Sequence, residues 1–141
     1  MIVTVSVKLA YAYYSDDYWS ADIEIDDSSS LEVLHNAIQE AVEFANDHQY
    51  AFFFAREERS RDRSFLEGED LYQVCISELF PLPKGKKLFY WFDFGDNWIF
   101  QISKSRKKPK EAEKDIKYPR LMKVTGIKPI QYPDPDIEWD K

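Results

Sequence analysis

One cysteine, four glycines and two histidines are spread over 141 residues, and each scarcity removes a class of chemistry. Cys75 alone cannot form an intrachain disulfide, a Cys-x-x-Cys pair or a multi-cysteine zinc site. Gly68, Gly85, Gly95 and Gly126 stand too far apart to build a phosphate-cradling loop, so no nucleotide cofactor is expected. Any imidazole chemistry has to pass through His35 or His48. No apolar run approaches the ~18 residues that span a bilayer as a helix, and the first residues lack the basic and apolar regions of a signal peptide. The expectation is therefore a cytoplasmic chain with no membrane association, which also suits a lone thiol. Positive charge is scarce as well: 19 Lys and Arg against 26 Asp and Glu leave a net charge of −7, a balance that disfavours duplex DNA held broadly through its phosphates.

Aromatic residues, by contrast, are abundant, with 9 Tyr, 10 Phe and 4 Trp, and this favours strands, where flat rings pack on a pleated surface. The length suits one domain, expected over residues 1–133, with an acidic tail over 134–141 carrying Asp134, Asp136, Glu138 and Asp140. Val3, Val5, Val7 and Leu9 alternate with polar residues, as do Trp19, Ala21, Ile23 and Ile25, which predicts two half-buried strands. Ser29 and Glu32 have capping-box spacing, and Leu31, Leu34, Ala37, Ile38, Ala41, Val42 and Ala45 recur at helical spacing, so one long helix is predicted over 30–45. His35 falls at the edge of that apolar stripe and Gln39 on its polar side. Tyr50, Phe52 and Phe54 open a third strand. The charged stretch 56–70 reads as a loop or hairpin extension, Val74 and Ile76 as a short strand, and Ser77 to Phe80 as one helical turn stopped by proline.

The densest signal is Tyr90-Trp91-Phe92-Asp93-Phe94-Gly95-Asp96-Asn97-Trp98-Ile99-Phe100. Leu88, Tyr90, Phe92 and Phe94 share one strand face and Trp98, Phe100 and Ile102 share another, while Gly95-Asp96-Asn97 suits the positive φ of a tight turn. The stretch is thus an aromatic hairpin at the centre of an α+β fold, a mixed or antiparallel sheet of six or seven strands packed against the long helix.

Three groups of residues carry candidate chemistry. Asp93 and Asp96 at a rigid turn could hold a divalent cation or share a proton, although aspartates beside glycine commonly cap their own turn; alternation places Asp93 on the face away from the core. His48 follows Asp47, a neighbour able to fix an imidazole tautomer. The basic run Lys104, Arg106, Lys107, Lys108 and Lys110, continued by Lys114 and Lys117, could meet phosphates with Trp98 and Phe100 nearby, or simply form a solvated loop.

The order of Leu34-His35 in the helix, Asn46-Asp47-His48 before an aromatic strand, the Tyr90 to Trp98 hairpin and Tyr118-Pro119-Arg120 resembles the Ri-plasmid ORF-three-like family, some of whose members are labelled transposon-resolvase-like. The resemblance runs from about Val3 to about Pro133. It implies an α+β domain associated with plasmids and insertion elements, without a defined reaction, and the chain lacks the catalytic serine in an Arg-rich setting that a serine recombinase needs. It also departs from the family pattern. Phe100 stands where relatives commonly carry His, Ser20, Ala21 and Asp22 replace a basic pair after Trp19, and Lys128-Pro129-Ile130 only partly matches the segment after Tyr118-Pro119-Arg120. The function these observations favour is a non-enzymatic binding or accessory module with a protein or nucleic-acid partner, and no cofactor. The alternatives are a metal-dependent enzyme using His48, Asp93 and Asp96, and a nucleic-acid binder using the basic run 104–117.

Overall fold

Alternation of β-branched and polar residues gives β1, Ile2–Tyr11, and β2, Trp19–Asp26, which pair antiparallel with Val5 opposite Ile23 and Val7 opposite Ala21. The computed structural model describes residues 1–132, so the acidic tail expected over 134–141 lies outside the described residues. After α1, Leu31–Val42, come β3, Tyr50–Ala55, β4, Ser64–Leu66, and a single turn of helix α2, Asp70–Gln73. A 3-10 turn at Ile76–Glu78, β5, Lys87–Phe92, β6, Trp98–Lys104, and β7, Arg120–Gly126, complete the order. The seven strands form one sheet in the order β4-β3-β5-β6-β1-β2-β7, antiparallel at every pairing, and the aromatic hairpin β5–β6 sits at its middle.

The sheet carries apolar side chains on both faces. One face packs Val5, Val7, Trp19, Ile23, Phe52, Leu88, Tyr90, Phe92, Trp98 and Phe100 against Leu31, Leu34, Ile38 and Val42 of α1. The other face holds a smaller cluster of Phe53, Ala55, Phe89 and Ile99 flanked by Tyr11 and Trp91. No helix covers it. Instead the charged stretch after β3 folds back as a hairpin through β4, and its arginines lie on the rings: the Arg63 guanidinium is 4.3 Å from the Phe53 centroid and 5.0 Å from that of Trp91, and Arg59 is 4.6 Å from that of Tyr11. A run that looks purely solvated in sequence therefore lids the second apolar face.

Several expectations need correction. The helix has 12 residues rather than spanning 30–45, and it is the only one of seven residues or more among the described residues. Its N-cap is Ser30, whose hydroxyl accepts from the Val33 N–H at 3.4 Å, so the Ser29 capping box is not used. Glu43 ends it in the left-handed conformation (φ 59°). This turns Phe44 back onto Trp98, with ring centroids 4.8 Å apart, and the Asn46 N–H is taken by the Gln39 side chain at 3.0 Å. His35 and Gln39, expected at the boundary and on the polar side, are both buried. No strand forms at Val74 and Ile76: Cys75 makes a single bridge to Ser30 between α2 and the 3-10 turn.

Candidate functional site

The β5–β6 turn begins two residues earlier than alternation suggests, at Asp93. Asp93 and Asn97 have positive φ (61° and 55°), whereas Gly95 does not, and the Asn97 N–H donates to the Asp93 carbonyl at 2.6 Å. The reversal at Asp93 tucks its side chain under the turn, leaving it 6% exposed, and throws Phe94 over Trp91, with centroids 4.2 Å apart. Both placements oppose the alternation reading, in which Phe94 shared the core face and Asp93 faced away from it. Asp93 Oδ1 accepts from the N–H groups of Gly95 and Asp96, each at 3.2 Å. Half of this carboxylate is thus a turn cap. Trp91 Nε1 donates to Asn97 Oδ1 at 2.8 Å and fixes the far side of the turn.

The other oxygen, Oδ2, faces His48 Nε2 at 3.4 Å. The structure brings His48 and Asp93 together, at an open depression of about 700 Å³ bordered by Asp47, Tyr50, Phe94 and Gly95. Asp96 does not join them, since among the described residues its carboxylate makes neither a hydrogen bond nor an ion pair with His48. Asp47 and Tyr132 take that place, and sequence reasoning did not select them as a pair. Tyr132 Oη donates to Asp47 Oδ2 at 2.6 Å and lies 2.6 Å from His48 Nε2. A hydroxyl has one proton to give, so His48 donates from Nε2 and the tautomer is fixed. Gln131 adds two bonds, donating to Asp47 Oδ1 at 2.8 Å and accepting from the Ala45 N–H at 2.6 Å. The hydrogen bond from Tyr132 and that from Gln131 hold the Asp47 carboxyl below its ordinary range, and the same Asp47 contact, with burial, pushes the Tyr132 hydroxyl up to about 12. Chemically this is a clasp that ties the chain at 131–132 to the loop between α1 and β3. Among the described residues, no three His, Cys, Asp or Glu side chains are arranged to hold a metal ion.

The basic run divides. Lys104, the last residue of β6, and Arg106, Lys107 and Lys108 after it are exposed. Lys110 is not free: its backbone pairs with Ile2 in both directions, at 2.6 and 3.0 Å, and its ammonium meets Glu24 at 3.0 Å. Glu24 is a buried carboxylate that also accepts from Arg120 Nε and Nη2, at 3.1 and 2.8 Å. Burial raises its pKa, and the hydrogen bonds and charges of Lys110 and Arg120 outweigh that and hold it below the ordinary range.

Arg120 opens β7, the feature least visible in the sequence. Its other end is closed by Gly126, where φ is 90° and an added Cβ would lie 2.0 Å from the Tyr18 carbonyl oxygen, so only glycine fits. β7 is the last strand of the sheet, and Leu121, Met122 and Val124 along it are each 47% exposed. Beside it, between α1 and β7, runs a groove of about 210 Å³ whose apolar lining includes Ile23, Val33, Ala37 and Leu121. Leu121 and Val124 were the signal, but a register shift between Lys123 and Leu121 breaks the alternation that would have marked a strand.

The comparisons agree with this architecture. A crystal structure of a protein of unknown function from Methanosarcina mazei Go1 superposes with a TM-score of 0.68 at 18% identity, covering 87% of this chain and 68% of that one, which establishes a shared fold. No curated protein matches the chain. The family model described as Plasmid pRiA4b ORF-3-like protein matches residues 2–132, nearly the whole length, and the chain belongs to that family.

Proposed function

We propose that this protein is a non-enzymatic binding module, an accessory component of the mobile elements with which its family name associates it, and that its partner is a protein held along β7. The observation that carries this reading is an edge strand of seven residues whose outer side is unpaired among the described residues and which exposes Leu121, Met122 and Val124. Edge strands that nothing covers are usually short or guarded by charge, proline or a bulge; β7 is seven residues long and exposes three large apolar side chains despite Lys123 and its bulge. A catalytic role at the hairpin has less support, because Asp93 spends one oxygen on the turn and the group meeting His48 is Asp47 with Tyr132 rather than Asp96. A nucleic-acid role loses Lys110 to Glu24.

Affinity purification of the tagged full chain from its native host, with and without nuclease, tests the reading. Proteins retained after nuclease treatment and at about 0.3 M salt support a protein-binding module. Retention only through nucleic acid, abolished by nuclease, overturns it in favour of the basic run.

A further inference from the structure

β7 offers backbone groups as well as side chains. Ile127 N–H donates to the Tyr18 carbonyl at 2.8 Å, beside the pair formed by Trp19 and Gly126. In an antiparallel ladder, inward-bonding and outward-facing residues alternate. Thr125 therefore bonds toward β2, and Val124 and Gly126 turn their N–H and C=O groups to the free edge. A strand laid along that edge would find donors and acceptors already spaced for it.

The two faces of that edge differ in chemistry. On the side of α1, Leu121 and Val124 continue the rows of Ile23 and Ala21, which are buried, and the groove beside α1 lies next to them. Added side chains on that face would meet only apolar neighbours along β7. On the other face, Lys123 is exposed; Asp22 stands opposite it on β2 and accepts from Ser6 but makes no ion pair with Lys123, whereas Arg120 is already paired with Glu24. A residue on an added strand would sit directly across from Lys123, within about 5 Å, where an opposite charge is favoured and a like charge is not.

That distinction decides the occupant. Full overlap with β7 of a second copy about a twofold axis centres on Lys123 and sets two ammonium groups face to face. We propose instead that β7 accepts an extended segment of another protein in which apolar side chains, facing the groove along α1, alternate with acidic ones facing Lys123. This rests on the protein-binding reading above and narrows it to β-strand addition with a stated sequence pattern.

The test uses the full chain, isotope-labelled, and synthetic blocked peptides of about nine residues. One alternates Val and Glu, one alternates Val and Lys, and one has the Val–Glu composition in two blocks. With the alternating Val–Glu peptide at about 2 mM, amide exchange at Val124 and Gly126 is expected to slow about tenfold while Thr125 is unchanged, and Lys123→Glu is expected to transfer the preference to the Val–Lys peptide. Equal protection by all three peptides overturns the charge pattern while leaving strand addition standing. Protection that grows with protein concentration alone means that a second copy is the occupant and overturns the proposal. No protection at β7 by any peptide overturns strand addition, and the purification from the native host then decides separately whether the chain binds proteins at another surface. Lys123→Glu sets a carboxylate opposite Asp22 at an exposed position, so its melting curve is the control that the variant is folded.

Discussion

Acidification below pH 6.5 should weaken this protein through His35. The ring is 4% exposed and stacks on Tyr50 with centroids 3.5 Å apart and planes within 1°. Its Nε2 faces Asn46 Oδ1 at 2.7 Å, and Tyr90 Oη lies against Nδ1 while accepting from Gln39 Nε2 at 2.9 Å. Burial holds the Tyr90 hydroxyl far above its usual pKa, so it keeps its proton and donates it to Nδ1, which leaves Nε2–H to serve Asn46. The imidazole is thus satisfied as the neutral ring and has no place for a second proton. Burial lowers its pKa from 6.5 to about 4, with the Asn46 contact partly opposing the fall. A shift of that size corresponds to about 3 kcal/mol, discounted to about 2 for solvent at the edge of the ring. Between pH 6.5 and 4 the unfolded chain takes up a proton that the folded chain refuses. Stability is therefore full above about pH 6.5, falls as pH drops toward 4, and receives no further loss from this group below that. Urea unfolding at pH 7.5 and pH 5.0 measures it, with His35→Gln as the comparison that removes this imidazole alone. The wild type should lose about 2 kcal/mol more than the variant across that interval. Identical losses would refute the assignment of a buried neutral imidazole.

Tyr90→Phe leaves His35 Nδ1 and Gln39 Nε2 without their shared partner and should cost about 2–4 kcal/mol by urea unfolding; a change under about 0.5 would show that the network relaxes freely. Gly126→Ala places a Cβ against the Tyr18 carbonyl at a positive φ, so it should destabilise by about 1–3 kcal/mol and speed exchange of the Ile127 amide; an unchanged amide would contradict the close approach. Asp93→Ala removes two turn caps and should cost about 1–2 kcal/mol, whereas Asp96→Ala should stay within about 0.5; equal effects in a thermal melt would mean that the carboxylate of Asp93 does not hold the turn.

The middle of the sheet was legible because each of its strands buries a continuous row on one face, and Val3-Val5-Val7 or Leu88-Tyr90-Phe92 states that row in the sequence. What escaped was set by distant partners or by single backbone reversals. His35 and Gln39 look like boundary and polar-face residues until the Tyr90 hydroxyl arrives from the strand beneath them. The end of α1 depends on Glu43 adopting a left-handed angle so that Phe44 can reach Trp98, which helical periodicity does not encode. At the candidate site, Asp93 and His48 were named from the sequence and do meet. Asp96 was named with them on proximity along the chain, whereas Tyr132 completes the clasp from 84 residues away from His48. The positive φ at Asp93 decided this, because it points one carboxylate inward and separates it from the other. β7 was missed for a related reason: its bulge at Met122 breaks the period-2 pattern, and an exposed edge has little apolar burial to announce it.

The central claim is that the free edge of β7 is the surface by which this protein binds its partner. Val124→Pro tests it most directly, because the Val124 N–H faces away from β2 and proline removes only that outward donor while leaving the β2–β7 ladder intact. The variant should keep its circular dichroism spectrum and melt within a few degrees of the wild type, yet lose the proteins that the wild type retains from the host extract after nuclease treatment. Full retention of those proteins by a folded Val124→Pro chain would contradict the account.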